Sequence, residues 1–181
     1  MDADGSNMRQ LSHPPKGLED HYPTWAPDGK TIVVQRDTTA ATAGPTKLVS
    51  IDVKSARERV IYALPRWAPG AGIPGFSPNG KKILFGFWCI YGDSCPAVNR
   101  TRAHHRQAII DADGRGLRVL PLKIRADSGA WSPSGNRIVY RCTATYPTGP
   151  FNICVSRPDG TGLKRFRWPL LSAHPSWGTH P

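Results

Sequence analysis

Helical periodicity is missing from this sequence. No segment of a dozen residues places apolar side chains at i, i+3, i+4 and i+7 while staying free of Gly and Pro, which argues against a helical domain. No run approaches the roughly 18 apolar residues of a membrane span, and no stretch joins a basic start to an apolar core and a small-residue cleavage site, so the sequence carries no address of its own. The four cysteines contain no C-x-x-C spacing, which argues against a zinc cluster. Ser128-Gly129 and Ser134-Gly135 lack the flanking pattern of a G-x-S-x-G elbow, so an activated serine of the α/β-hydrolase type has no place to sit. The glycine-rich Pro69 to Gly75 is not followed by Lys-Ser/Thr and opens no helix, so it is not a phosphate cradle. Acidic residues are scarce as well: 13 Asp and Glu against 24 Lys and Arg leave a net charge of +11. A surface this basic can steer toward polyanions, but the basic residues are scattered over turns and strand ends, and the densest clusters, Arg100, Arg102, Arg106 and Lys164, Arg165, Arg167, name no partner.

What is abundant is punctuation. Eighteen glycines and 18 prolines in 181 residues sit at junctions rather than in one block, the pattern of many short strands and tight turns. One device recurs. His21 to Arg36 carries Trp25, then Ala26-Pro27-Asp28-Gly29, then the apolar run Ile32-Val33-Val34. Pro27 fixes φ at the first corner of a turn, Asp28 can bond its own backbone, and Gly29 tolerates positive φ, so the stretch predicts strand, tight turn, strand. The same arrangement returns at Phe76, Ser77, Pro78 and Gly80 before Ile83-Leu84-Phe85, at Trp131, Ser132, Pro133 and Gly135 before Ile138-Val139-Tyr140, and at Pro175-Ser176-Trp177-Gly178.

A second motif alternates with the first. Ile109-Ile110-Asp111-Ala112-Asp113-Gly114 precedes Leu117-Arg118-Val119-Leu120, and Val155 to Gly160 precedes Leu163 to Phe166. Asp2-Ala3-Asp4-Gly5 precedes Met8 to Leu11, and a degraded copy runs from Leu48 to Lys54 ahead of Glu58 to Ile61. The aromatics Trp25, Phe76, Trp131 and Trp177 stand 51, 55 and 46 residues apart. A period of about 40 to 55 residues with four short strands in each is the mark of a β-propeller. The expected blades are 23–61, 73–122 and 128–168, with the last strand of an incomplete blade at 1–12 and the first strand of another at 173–181. The loops between the second and third strands, Asp37 to Thr46, Ile90 to Arg106 and Thr143 to Pro150, should emerge on one face, where binding is expected.

The paired motifs resemble the repeats of the TolB-like β-propellers, a WD40-like repeat family, over nearly the whole chain. The matching residues are Pro23, Trp25, Pro27, Asp28 and Gly29; Pro74, Phe76, Ser77, Pro78 and Gly80; Trp131, Ser132, Pro133 and Gly135; and Asp2, Asp4, Gly5, Asp111, Asp113 and Gly114. The resemblance implies an all-β propeller, commonly of six blades, and a periplasmic or extracellular setting. Its members include an envelope protein that binds a lipoprotein, and gating domains of serine peptidases. Three complete blades cannot close a ring of that size, which leaves either a part of a longer propeller or copies that associate to complete one.

Candidate chemistry is sparse. Cys142 with Cys154, and Cys89 with Cys95, form two local pairs that suit either structural disulfides of an exported protein or buried thiols. Of the six histidines, His21 and His174 precede the aromatic by a few residues at a repeat position. Propeller lyases acting on acidic sugars hold a metal with histidines near the central channel; here the histidines form no cluster, and neither a metal nor another cofactor is expected. Arg102, His104, His105 and Arg106 share the longest loop and could meet an anion, or simply be solvated. Trp88 beside that loop is a candidate ligand-stacking residue, with core or rim packing as the alternative. Asp4, Asp111 and Asp113 sit in turns too short to supply the six or more oxygens of a calcium loop. The sequence therefore points to a non-enzymatic propeller that binds a protein or small ligand through its loop faces, the alternative being the noncatalytic propeller of an exported peptidase or polysaccharide lyase.

Overall fold

A computed structural model describes residues 4–38, 46–65, 68, 70–89, 104–143, 150–167 and 174–178, without the side chains of 87–89 and 104. Twelve strands are present: β1 (Leu18–Trp25), β2 (Thr31–Thr38), β3 (Lys47–Asp52), β4 (Glu58–Ala63), β5 (Gly70–Phe76), β6 (Lys82–Cys89), β7 (His104–Asp111), β8 (Arg118–Val119), β9 (Arg125–Trp131), β10 (Ile138–Thr143), β11 (Asn152–Ser156) and β12 (Lys164–Phe166). They form three four-stranded sheets, ordered β1-β2-β3-β4, β5-β6-β7-β8 and β9-β10-β11-β12, with every described pairing antiparallel. No helix occurs among the described residues. The protein is thus an all-β partial propeller.

Each hairpin from first to second strand is closed by the repeated turn. Gly29, Gly80 and Gly135 donate their N–H to the carbonyls of Ala26, Ser77 and Ser132 at 3.0, 2.8 and 2.8 Å. Apolar residues alternate between the two faces of each second strand, so every sheet has a face toward its predecessor and one toward its successor. Val33, Leu48 and Ile61 of the first sheet meet Ile83, Phe85 and Ile110 of the second. Leu84 and Ile109 on the second sheet's other face meet Ile138, Tyr140 and Cys142 of the third. The turns interlock too. An added Cβ on Gly80 would lie 3.6 Å from the Pro27 ring, and one on Gly135 would lie 3.5 Å from the Pro78 ring, so each turn glycine rests against the turn proline of the sheet before it.

Several boundaries differ from those expected. The first strands begin at Leu18, Gly70 and Arg125 rather than near 23, 73 and 128, because each continues across a β-bulge in front of the aromatic. The expected strand over Met8 to Leu11 is not formed, and residues 174–178 form none either. Each segment would belong to a blade that contributes no other strand among the described residues, so the ladder it would complete is not there. His104, His105 and Arg106 belong to β7 rather than to the preceding loop, since Trp88 pairs with His105 and Cys89 with His104.

Cys142 and Cys154 are joined by a disulfide between β10 and β11, with Cα atoms 5.9 Å apart. The link is diagonal, since Cys142 stands opposite Asn152 and Cys154 opposite Tyr140. Both sulfurs are buried in the core shared with the second sheet. Closing a 12-residue separation removes denatured-state entropy worth roughly 3 kcal/mol. The Cys142→Ala, Cys154→Ala variant should therefore lower unfolding free energy in urea by about 2 to 3 kcal/mol, and a reductant should lower its midpoint by less than it lowers that of the wild type. An equal response of both proteins to the reductant would contradict this.

Candidate functional site

The innermost strand of each blade carries an unusual backbone. Tyr22 in β1, Ile73 in β5 and Ser128 in β9 have φ of 52°, 41° and 51°, and His174 ahead of Trp177 has φ of 50°. All four stand three residues before the repeated aromatic. Left-handed conformations at non-glycine residues cost on the order of 1 kcal/mol or more each, and they persist where the surroundings impose them, often at binding sites. Here each of the three within strands lies in the bulge that shifts the register. Two of the bulges contain a proline, Pro23 and Pro74, residues that a strand accepts at such irregularities.

All four left-handed residues line one cleft of about 340 Å³, to which β1, β5 and β9, the first strands of the three sheets, all contribute. Its wall on the first sheet is acidic. His21 Nε2 lies 3.3 Å from Asp37 Oδ1 and 3.4 Å from Glu19 Oε2, and the Gln35 amide donates to Asp37. On the third sheet Arg141 grips Asp127 through Nε and Nη2 at 2.6 and 2.7 Å, with its guanidinium 4.3 Å above the Phe151 ring. Bidentate geometry of this kind fixes both side chains. His105 Nδ1 lies 3.7 Å from Asp127 Oδ2. Burial lowers the His105 pKa below its ordinary value, against the pull of Asp127 and with help from Arg125 and Arg141, so the imidazole is neutral at pH 7.

A second cleft, of about 590 Å³, opens between the first two sheets on the turn side. Of its charged groups, Arg59 serves the seam and the others bond within the first sheet. Asp52 accepts from Ser55, Glu58 from Arg36, and Arg59 donates to the carbonyls of Ala112 and Asp113 across the sheet boundary.

The repeated residues occupy turns and blade contacts. Phe76 and Trp131 are half-buried against the two cores between sheets. Trp131 Nε1 donates to Gly75 O at 3.1 Å and Trp177 Nε1 to Ala130 O at 3.3 Å, in each case the residue before the aromatic of the preceding copy. Trp25, Pro27, Asp28 and Gly29 are exposed, as is Pro133. His105 faces the cleft. Arg106, expected beside it as a ligand contact, is instead buried, and its Nη1 donates to Leu122 O and Ile124 O at 3.2 and 3.0 Å, because alternation along β7 turns it to the other face. Arg102 and Cys95 lie outside the described residues, as do the side chains of Trp88, Cys89 and His104. Of the basic clusters, Lys164, Arg165 and Arg167 are exposed on and after β12, where charge on an edge strand discourages pairing with other chains. No group of three His, Cys, Asp or Glu able to hold a metal occurs among the described residues, and no described helix is long and apolar enough to cross a membrane, which says nothing of a β-barrel. Asp127 and Arg141 escaped the sequence reading; the signal for them was their place on strands whose repeat equivalents, Gly72 and Gly86, have no side chain.

This arrangement of sheets, turns and interlocked aromatics defines the fold of the TolB-like β-propellers. A TolB from Agrobacterium tumefaciens superposes with a TM-score of 0.63 at 18% identity, over 83% of this chain and 50% of that one. TolB from Acinetobacter baumannii gives 0.60 at 14% identity, over 83% and 32%. An oligogalacturonate lyase from Vibrio parahaemolyticus gives 0.61 at 14% identity, over 87% and 44%. The chain spans half or less of the length of each. No family model matches the sequence, and no curated protein matches it.

Proposed function

We propose that this chain is a non-enzymatic binding module that engages a partner across its loop-bearing face, with the inner cleft at the centre of the contact. The observation that carries this reading is the convergence of four repeat-equivalent left-handed residues, Tyr22, Ile73, Ser128 and His174, on a single cleft. Backbone strain repeated at one place is kept for what it positions. The groups it positions are paired polar side chains suited to directional hydrogen bonding, Asp37 with His21 and Asp127 with Arg141. The buried disulfide supports an exported setting, since such links persist in oxidising compartments. Likeness to TolB supports protein recognition, and likeness to a lyase supports a second reading, the noncatalytic propeller of an exported lyase or peptidase. A hydrolase or lyase domain in the same reading frame would favour the second.

Immobilised protein incubated with envelope extract tests the first reading. Tyr22→Glu with His174→Glu, both at exposed positions, should reduce capture of a specific partner by about tenfold or more, while Arg115→Glu on the turn face should not. Equal capture by both variants would remove the cleft from the proposed contact.

A further inference from the structure

In a chain with only 13 carboxylates against 24 Lys and Arg, the inner cleft has an acidic wall. Glu19 stands opposite Asp37 in the β1–β2 ladder, and His21 opposite Gln35. Alternation along β2 places Gln35 and Asp37, with their cross-strand partners, on the face of Val33, which packs toward the second sheet. Arg36 points to the other face, where it holds Asp20 and Glu58. Among the described residues no Lys or Arg pairs with Glu19 or Asp37. Their polar side-chain partners there are His21 for both and the Gln35 amide for Asp37. A charged His21 would offset one of these two carboxylates and not both.

Gln35 gives a second sign, independent of charge. It is only 3% exposed, and its Nε2 donates to Asp37 Oδ2 at 2.5 Å. That bond fixes which way the amide points, because an ionised carboxylate accepts and must meet the NH2 end. The other end, Oε1, is buried and accepts no hydrogen bond among the described residues. Buried acceptors nearly always have a donor, and this one belongs to a side chain that lines the cleft. The remaining walls leave room and compete little. Arg141 is taken by Asp127, and burial keeps the His105 imidazole neutral. An added Cβ on Gly72, which also lines the cleft, would meet no atom within 4 Å.

We propose that the first-sheet wall of the cleft binds a cationic nitrogen, the guanidinium or ammonium of an Arg or Lys side chain on the partner, with Gln35 Oε1 and Asp37 accepting its N–H groups. This rests on the reading of the cleft as the centre of a partner contact. The carboxylates attract the charge, and the buried amide oxygen makes the contact directional. Because the whole chain carries +11 and repels cations at long range, the fitting partner presents this side chain from a neutral or acidic surface.

The peptide acetyl-Gly-Arg-Gly-amide, titrated into the full chain and followed by amide NMR, should give saturable shifts with a Kd on the order of millimolar. The citrulline peptide, alike in shape but uncharged, should bind about tenfold more weakly. Asp37→Asn and Gln35→Met should each weaken the arginine peptide by about tenfold, whereas Asp28→Asn, the same charge change on the turn side, should not. Circular dichroism checks folding. If Gln35→Met fails to fold, Gly72→Leu takes its place and should abolish binding by filling the open space. Binding that is unchanged in a folded Asp37→Asn protein overturns the proposal, as does a citrulline peptide that binds equally well or the lack of saturation by about 100 mM. Capture from envelope extract reads the other reading separately. Capture lost in Tyr22→Glu with His174→Glu, with no binding of the arginine peptide, overturns the cation site and keeps the partner face. Peptide binding through Asp37, with capture indifferent to those two substitutions, supports the cation site and removes the partner face.

Discussion

Gly114→Ala is expected to destabilise the protein by more than about 3 kcal/mol. Gly114 closes the turn between β7 and β8, donating its N–H to Asp111 O at 2.8 Å with φ of +94°. A Cβ there would lie 2.1 Å from the carbonyl oxygen of Ile61 and 3.1 Å from its carbon. Both obstacles are backbone of the neighbouring sheet, so no rotamer change relieves them. The sheets would have to separate where Arg59 reaches over to Ala112 and Asp113. Gly29→Ala isolates the conformational part of this effect. That residue also has positive φ, +66°, but nothing lies within 4 Å of its added methyl, so it should cost only about 1 kcal/mol. Urea denaturation of the two variants measures the difference, and equal losses would show that the contact with Ile61 is relaxed in solution.

Arg36→Ala should cost about 3 kcal/mol or more. The Arg36 side chain is buried in the first sheet; its Nε and Nη2 hold both oxygens of Asp20 at 2.6 and 2.8 Å, and its Nη1 holds Glu58 at 2.7 Å. Truncation strands the Asp20 carboxylate in a site that water barely reaches. Replacing Arg36, Asp20 and Glu58 together by leucine should recover most of that loss, because breaking a buried ion cluster costs far more than never having one. The cluster also sets a pH dependence. Hydrogen bonding to Arg36 lowers the Glu58 pKa below its ordinary 4.5, opposed by burial. A depressed carboxylate contributes stability that is complete above the unfolded value and is lost as pH falls through the folded one. Wild-type stability should therefore decline below about pH 4.5 more steeply than that of Arg36→Ala, and parallel pH profiles would contradict the assignment.

Much of the fold was legible because turn chemistry is local. Pro27-Asp28-Gly29 and its copies specify a hairpin within a few residues, and four copies at near-regular spacing then specify blades. The bulges were harder to see. Pro23 and Pro74 look like strand breakers, yet the ladder passes them at bulges in which Tyr22 and Ile73 take left-handed conformations, an irregularity that the alternation of apolar residues does not announce. The cleft was less legible still. His21 and His174 stood out as a repeat position, whereas Asp127 and Arg141 gain their meaning only when β9 and β10 pair directly opposite each other. His105 and Arg106 show the same limit from the other side: neighbours in sequence, they face apart once β7 forms, one toward the cleft and one into the body of the sheets.

The order β1-β2-β3-β4, repeated in the other two sheets, means that each leaf is assembled entirely from strands adjacent in the chain. No strand must wait for a distant segment to be synthesised before it finds a neighbour, so the search that limits the folding rate of many β proteins is short within each leaf. The slow event is then the docking of finished leaves. During translation the first leaf can form before the second has left the ribosome, which keeps the apolar faces of only one leaf at a time in contact with the cytosol's or translocon's surroundings.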